Sequence, residues 1–248
     1  VEAGYRLSIQ EQRVILNLTS KINSDDEDFK DYTFSIQEFA KLSDIPVDAQ
    51  YSRVKELTSK LIRRAFTINE PDGPLQLSWL SAAKYHDGQG KITLRFDPGL
   101  KPYLLQLKNC FTKYSLSMAM QLKSSFSVRI YELLKQYENI GCRELPLVEL
   151  RRILGISPEE YSLYGNLKAK VLKVAQKELA EKTDIRFDLE EIKIGRSVGK
   201  IRFIIHAQEI SAQDMEERSQ SEQNQLDQLL ELVPDAYKNK LSIRKNIK

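Results

Sequence analysis

Cysteine is almost missing from this chain: Cys110 and Cys142 are the only two in 248 residues, too few for a disulfide framework, and both read as free thiols of a cytoplasmic protein. Histidine is as scarce. His86 and His206 stand far apart, so the sequence offers neither the paired histidines of a metal-dependent strand-nicking enzyme nor a Cys/His zinc motif. No apolar run approaches the roughly 18 residues that span a bilayer, and the opening VEAGYRLSIQ has no signal-peptide core, so no membrane association is expected. A phosphate loop is missing as well. GRSVGK, residues 195–200, has one residue too few between its glycines and continues into Ile201 where Ser or Thr is required. The run Asp25, Asp26, Glu27 and Asp28 superficially suggests a metal site, but consecutive loop carboxylates ordinarily face water. No catalytic residue, metal or cofactor is expected, and the chain reads as a non-enzyme.

A strong excess of one charge is also lacking. The formal net charge is +3, yet it is unevenly spread: Glu209 to Tyr237 holds eight acidic side chains and one basic, whereas Lys238 to Lys248 holds five basic and none acidic. Residues 1 to 208 keep a net +5, which matters for a polyanion only if it is gathered on one face. A hydrophobic content of 41% suffices for two domains of about 100 residues, each with its own core. From Ala207 the composition turns polar (AQEISAQDMEERSQSEQNQ), giving a short helical or flexible tail over residues 209–248.

What is present is an internal repeat. Ile36, Phe39, Leu42 and Ile45 are spaced three apart, and Leu147, Leu150, Ile153 and Ile156 repeat that spacing 111 residues later. Each set makes one apolar stripe on a short helix. A breaker follows in both copies, SDIP and GISP, and then a longer basic amphipathic helix, with about six more residues between the helices in the second copy. Short helix, turn, longer basic helix is the outline of a helix-turn-helix.

The flanking elements repeat too. Leu7 to Ile22 opens with a capping box, Ser8 to Glu11, and reads as a helix, matched by Phe126 to Glu138 with Phe126, Ile130, Leu133, Leu134 and Tyr137 on one stripe. YTFSI, AFTINE, LQLSWLSAAKYH and GKITLRF alternate like strands, the last two joined by the turn DGQG; RELPL, DIRFDLEEIKI and GKIRFIIHA do the same around GRSVG. The order predicts an α+β protein of two tandem winged-helix domains, 1–108 and 109–208, the second repeating the first. Residues 96–124 read as a helical join without a Gly/Ser linker, so the domains are expected to pack together.

A wheel at 100° per residue places Leu167, Val171, Leu172, Val174, Ala175 and Leu179 inward on the second long helix, and Asn166, Lys170, Lys173 and Lys177 in an outward strip beside Ala169 and Ala180. On the first, Val54, Leu57, Leu61, Ile62 and Ala65 point inward, while Arg53, Glu56, Lys60, Arg63 and Arg64 spread outside. Lys193, Arg196 and Lys200 are read at the tip of the second hairpin as wing contacts. Such cations suit phosphates or guanine edges, though ordinary solvated helix faces carry the same residues. Tyr164 and Trp79 could stack on bases, but packing is the better reading for both.

Several segments together resemble the replication initiator proteins of iteron-containing bacterial plasmids. They are NCFTKYSLSMAMQLKSSFSVRIYELLKQY, ELPLVELRRILGI, KVLKVAQKELAEKTDIRFDLEEIKIGRSVGKIRFII and the opening LSIQEQRVILNLTSKI, over roughly Tyr5 to Ala207. The resemblance implies two winged helices that bind double-stranded origin repeats, recruit host replication proteins and often repress the initiator's own promoter. It also implies monomers on direct repeats and dimers, joined through the first domain, on inverted operators. Near the start of the second recognition helix this chain has Asn166, Lys168 and Lys170 where the family is rich in Arg, which bears on base preference. A winged-helix transcription regulator without a replication role, or a protein-interaction module, are the alternatives.

Overall fold

Ser8 starts the fold. In the computed structural model its hydroxyl accepts from the Glu11 amide while the Glu11 carboxylate accepts from the Ser8 amide at 2.7 Å, closing the capping box that begins helix α1, Ile9–Thr19. The same four residues, SIQE, recur at Ser35 to Glu38 and cap helix α2, Ile36–Leu42, in the same way. The structure describes residues 3–23, 26–46, 50–105 and 114–209.

The first domain runs α1, strand β1 (Tyr32–Ser35), α2, helix α3 (Gln50–Arg63), then strands β2 (Ala65–Glu70), β3 (Gly73–Ser78), β4 (Leu80–His86) and β5 (Lys91–Phe96). β5 lies between β1 and β4 in an antiparallel sheet, and Gly88 and Gly90, both at positive φ, let DGQG turn the β4–β5 wing. LQLSWLSAAKYH is therefore not one strand. It breaks at Trp79, and its first part pairs with β2 as a separate ribbon that the second domain lacks, so the two halves are not strict copies. The break has a physical cause: Trp79 is buried, stacked on Phe66 at 4.6 Å, and the chain turns around that ring.

The second domain runs helix α6 (Ser125–Lys135), strand β6 (Cys142–Pro146), helix α7 (Leu147–Ile153), helix α8 (Tyr164–Leu167) continued through a π-turn (Lys168–Leu172) into helix α9 (Lys173–Lys182), and strands β7 (Ile185–Ile194) and β8 (Ser197–Ala207). β8 lies between β6 and β7, as β5 lies between β1 and β4. In the second domain residues 154–163 separate the short helix from the long one; in the first the corresponding stretch includes residues 47–49, so the expected difference of about six residues lies partly outside the described residues. Of the join between domains, a 3₁₀ turn (Pro98–Leu100) leads into helix α4 (Lys101–Leu104), and helix α5 (Leu116–Gln121) precedes α6. The expected boundary at 108/109 and the tail beyond Glu209 lie outside the described residues.

Each domain has a core of its own. Phe39, Val54, Leu61, Leu80, Ile92, Leu94 and Phe96 are sealed in the first; Ile130, Tyr131, Leu133, Leu150, Val171, Leu172, Phe187 and Phe203 in the second. Each such side chain contributes about 1.5–3 kcal/mol over its exposed state. Leu16 of α1 packs into the second core, and Val1–Ala207 forms one compact unit, so both domains share it. The acidic loop differs from the sequence reading at one residue: Asp26 is buried, accepting from the Asn23 amide at 2.9 Å and pairing with Lys30, because it ties its own loop. Asp28 pairs with Lys101 at 2.7 Å.

Candidate nucleic-acid interface

The second long helix has three committed sides. Leu167, Val171, Leu172, Ala175 and Leu179 are fully buried on the core side. Toward the wing, Gln176 donates to the Phe187 carbonyl at 2.7 Å; toward α6, Glu178 accepts from the backbone amides of Lys123 and Ser124, and Lys182 donates to the Gln121 carbonyl. The remaining side carries Asn166, Ala169, Lys170, Lys173, Lys177 and Ala180, all exposed. These anchors set the helix's rotation, so the four polar residues of the strip face outward together. Lys173 bonds Gln176 at 2.8 Å and Lys177 approaches Glu181 at 3.9 Å, surface contacts worth little and easily exchanged.

Val174 departs from the wheel: it is 37% exposed rather than inward. It stands two residues past the π-turn of Lys168–Leu172, while Lys173, Ala175, Lys177 and Leu179 beyond the same turn lie where the wheel puts them.

Lys168 does not join the strip. It pairs with Glu191 of β7 at 2.6 Å, and the Tyr164 hydroxyl donates to the same carboxylate at 2.9 Å, tying the start of the helix to the wing. The Lys168 bond, supplemented by Tyr164, holds the Glu191 carboxyl below the usual carboxylate range, and burial followed by the bond to Glu191 pushes the Tyr164 hydroxyl up. At the wing itself Ile194 pairs with Ser197 across Gly195 and Arg196, leaving Lys193 and Arg196 exposed at the tip. Lys200 is not at the tip. Strand register sets it opposite Ile192 and Pro146, where it pairs with Glu144 at 2.9 Å beside Arg202, which bridges Glu144 and Glu190.

On α3, Val54, Leu57, Thr58 and Leu61 are buried, Ile62 is half-buried, and Arg53, Lys60 and Arg63 are exposed, with Lys60 paired to Glu56. Ala65 is not inward: it is the exposed first residue of β2, past the helix end. Arg64 turns back instead of outward, pairing with the buried Glu11 at 2.9 Å and donating to the Arg6 carbonyl, so it docks α3 on the start of α1. Two exposed lysines bracket the first wing and were passed over in the sequence, Lys84 of β4 and Lys91 of β5; cations on both sides of DGQG were the available signal.

The histidines have ordinary partners, His86 with the Thr93 hydroxyl at 2.8 Å and His206 with Asp188 at 3.0 Å. Among the described residues no group of three His, Cys, Asp or Glu side chains could hold a metal, and no helix is long and apolar enough to cross a membrane.

The arrangement is a pair of winged helices, each with a long helix whose outward side is basic. Known proteins are similar in sequence and in fold. The chain is 25% identical over 198 residues to an uncharacterized 27.6 kDa protein of Escherichia coli, covering 74% of this chain and 83% of that one. It is 27% identical over 210 residues to a replication initiation protein of Escherichia coli, covering 80% of this chain and 65% of that one, so it spans just under two thirds of that relative. Its fold is similar to the crystal structure of Pi initiator protein in complex with iteron DNA, with a TM-score of 0.66, 22% identity, and 82% and 92% of the two chains covered. Residues 1–135 match the WH1 domain of the initiator replication proteins and residues 146–205 match their WH2 domain, in the order in which the two winged helices occur here, and the chain therefore belongs to the initiator replication protein family.

Proposed function

We propose that this chain is a plasmid replication initiator that binds the direct repeats of an origin, the iterons, by sequence-specific contact and without enzymatic chemistry. The observation that carries the reading is the strip Asn166, Lys170, Lys173 and Lys177, held outward by anchors on the helix's other three sides. A helix so presented fits the major groove, with Lys193 and Arg196 of the wing reaching the adjoining backbone. Arg53, Lys60 and Arg63 of α3, with Lys84 and Lys91 of the first wing, form the second head, about one helical turn, roughly 34 Å, along the same side of the duplex. Arg64, Lys168 and Lys200 serve the fold through their carboxylate partners. The fold shared with an initiator bound to iteron DNA supports the same use of both heads. In this reading the bound initiator acts in the cytoplasm, recruits host replication proteins, represses its own promoter and dimerises through the first domain.

The test is an anisotropy titration of the full chain on a duplex carrying the tandem repeats beside its gene, over a series of salt concentrations. If about half of ten exposed cations meet phosphates, log affinity should fall against log salt with a slope of about −4 to −5. A flat response, or equal affinity for an unrelated duplex, overturns the reading.

A further inference from the structure

On the second long helix Val174 is the residue that the wheel places inside and the structure places partly outside, at 37% exposure. It lies on the edge of the outward side, with Lys170 one turn before it and Lys177 one turn after, while Glu178 beside it is anchored to the start of α6. An isoleucine or valine in the core is rewarded by burial; here the buried stripe of Val171, Ala175 and Leu179 is complete without Val174. A β-branched residue at an exposed helical site also costs helix stability relative to Ala, Leu, Lys or Gln, so the fold gains little from it. What Val174 adds is a branched apolar tip set among ammonium groups.

We propose that Val174 is a specificity-determining residue that reads the C5 methyl of a thymine in the major groove. This rests on the preceding proposal that the helix enters that groove. The chemistry is complementary on both counts. Thymine is distinguished in the major groove by a methyl group projecting toward the groove wall, where an edge residue of an inserted helix arrives, and apolar side chains are its natural partner. Lys170 and Lys177 on either side would hold the flanking phosphates or guanine edges and fix the valine's depth. Such a contact recognises thymine against cytosine, which lacks the methyl, without any hydrogen bond from Val174 itself.

The probe is a duplex selected by the full wild-type chain from a random-sequence pool, in which each thymine is then replaced by deoxyuridine one at a time. The replacement removes only the methyl. Wild type should lose about fourfold in affinity at one thymine position, the worth of one buried methyl, and Val174→Ala should bind the unmodified duplex that much more weakly and be indifferent to deoxyuridine at that position. Val174→Thr, which keeps one methyl at the branch, should retain part of the discrimination. Alanine favours the helix, so unaltered melting of Val174→Ala is expected and confirms that binding alone has changed. The proposal is overturned if Val174→Ala keeps the wild-type response to deoxyuridine at every position, or if no thymine methyl matters to wild type. Failure of the broader reading would look different: wild type would select no common sequence from the pool.

Discussion

Lys170 and Lys173 carry like charges on one exposed strip, and neither is held in an ion pair among the described residues. Their loss should therefore leave the fold untouched and the field at the interface weaker. Lys170→Ala with Lys173→Ala is expected to flatten the salt dependence of DNA binding by about 1.8 in slope, about 0.9 per phosphate contact, with the melting temperature within a degree or two of wild type. Lys200 offers the contrast. Its ammonium is spent on Glu144 within the sheet, so Lys200→Ala should barely change the slope. An equal drop in both variants would mean that position on the surface does not matter and that net charge alone drives binding. The distinction could not be drawn from sequence. Lys168, Lys200 and Arg64 are chemically the same as their neighbours, and their partners Glu191, Glu144 and Glu11 lie 23, 56 and 53 residues away.

At the scale of elements, periodic helices were legible because burial imposes a 3.6-residue rhythm: Phe39, Leu150 and Ile153 are buried on their helices where the spacing put them, whereas Ile45 and Ile156, read on the same stripes, are buried past the helix ends. Two features were not. The π-turn of Lys168–Leu172 depends on one backbone bond closing from the Lys173 amide to the Lys168 carbonyl, which leaves no mark in composition. The ribbon of β2 and β3 hides in LQLSWLSAAKYH, whose alternation continues unbroken through the bend at Trp79. The solvent face of the second sheet makes a testable element of another kind. Lys200 and then Arg202 hold the Glu144 carboxyl below the usual range, and Arg202 also pairs with Glu190 at 3.2 Å. Because the folded value is depressed, the stabilisation is present above the unfolded value of about 4.3 and is lost as pH falls through the folded value. Glu144→Gln should thus lower the melting temperature slightly near pH 7, and narrow the gap between the melting temperatures at about pH 7 and about pH 3. An unchanged gap would show that water already screens the pairs fully.

For the whole molecule the deciding segment is the short stretch before α1. Tyr5 packs on Phe66 at 5.9 Å and Trp79 at 4.9 Å in the first domain, while its hydroxyl accepts from Arg129 of α6 at 2.7 Å in the second. Arg129 also donates to the Ala3 carbonyl and pairs with Glu132, and both side chains are buried. The fit is close: a Cβ on Gly4 would stand 2.6 Å from the Arg152 carbonyl oxygen, and one on Gly155, at φ 62°, would stand 2.8 Å from the Tyr5 backbone. One segment thus serves as a wall for both domains, and it couples their unfolding. The wild-type chain should melt in a single calorimetric transition up to the tail. Tyr5→Phe removes only a hydroxyl and keeps the ring beneath the guanidinium, 3.9 Å away, so it should cost about 1 kcal/mol and retain one transition. Tyr5→Ala removes the shared wall. The buried cluster of each domain does not include Tyr5, which packs against the first from outside, so the expected result is two separated transitions, together with weaker binding to a duplex that engages both heads, because their spacing is no longer set in advance. A single transition merely shifted downward in Tyr5→Ala would show that Tyr5 is an ordinary core side chain of the first domain and that the domains are coupled elsewhere, through Leu16 and the bonds of Arg13 to the Met120 and Leu122 carbonyls.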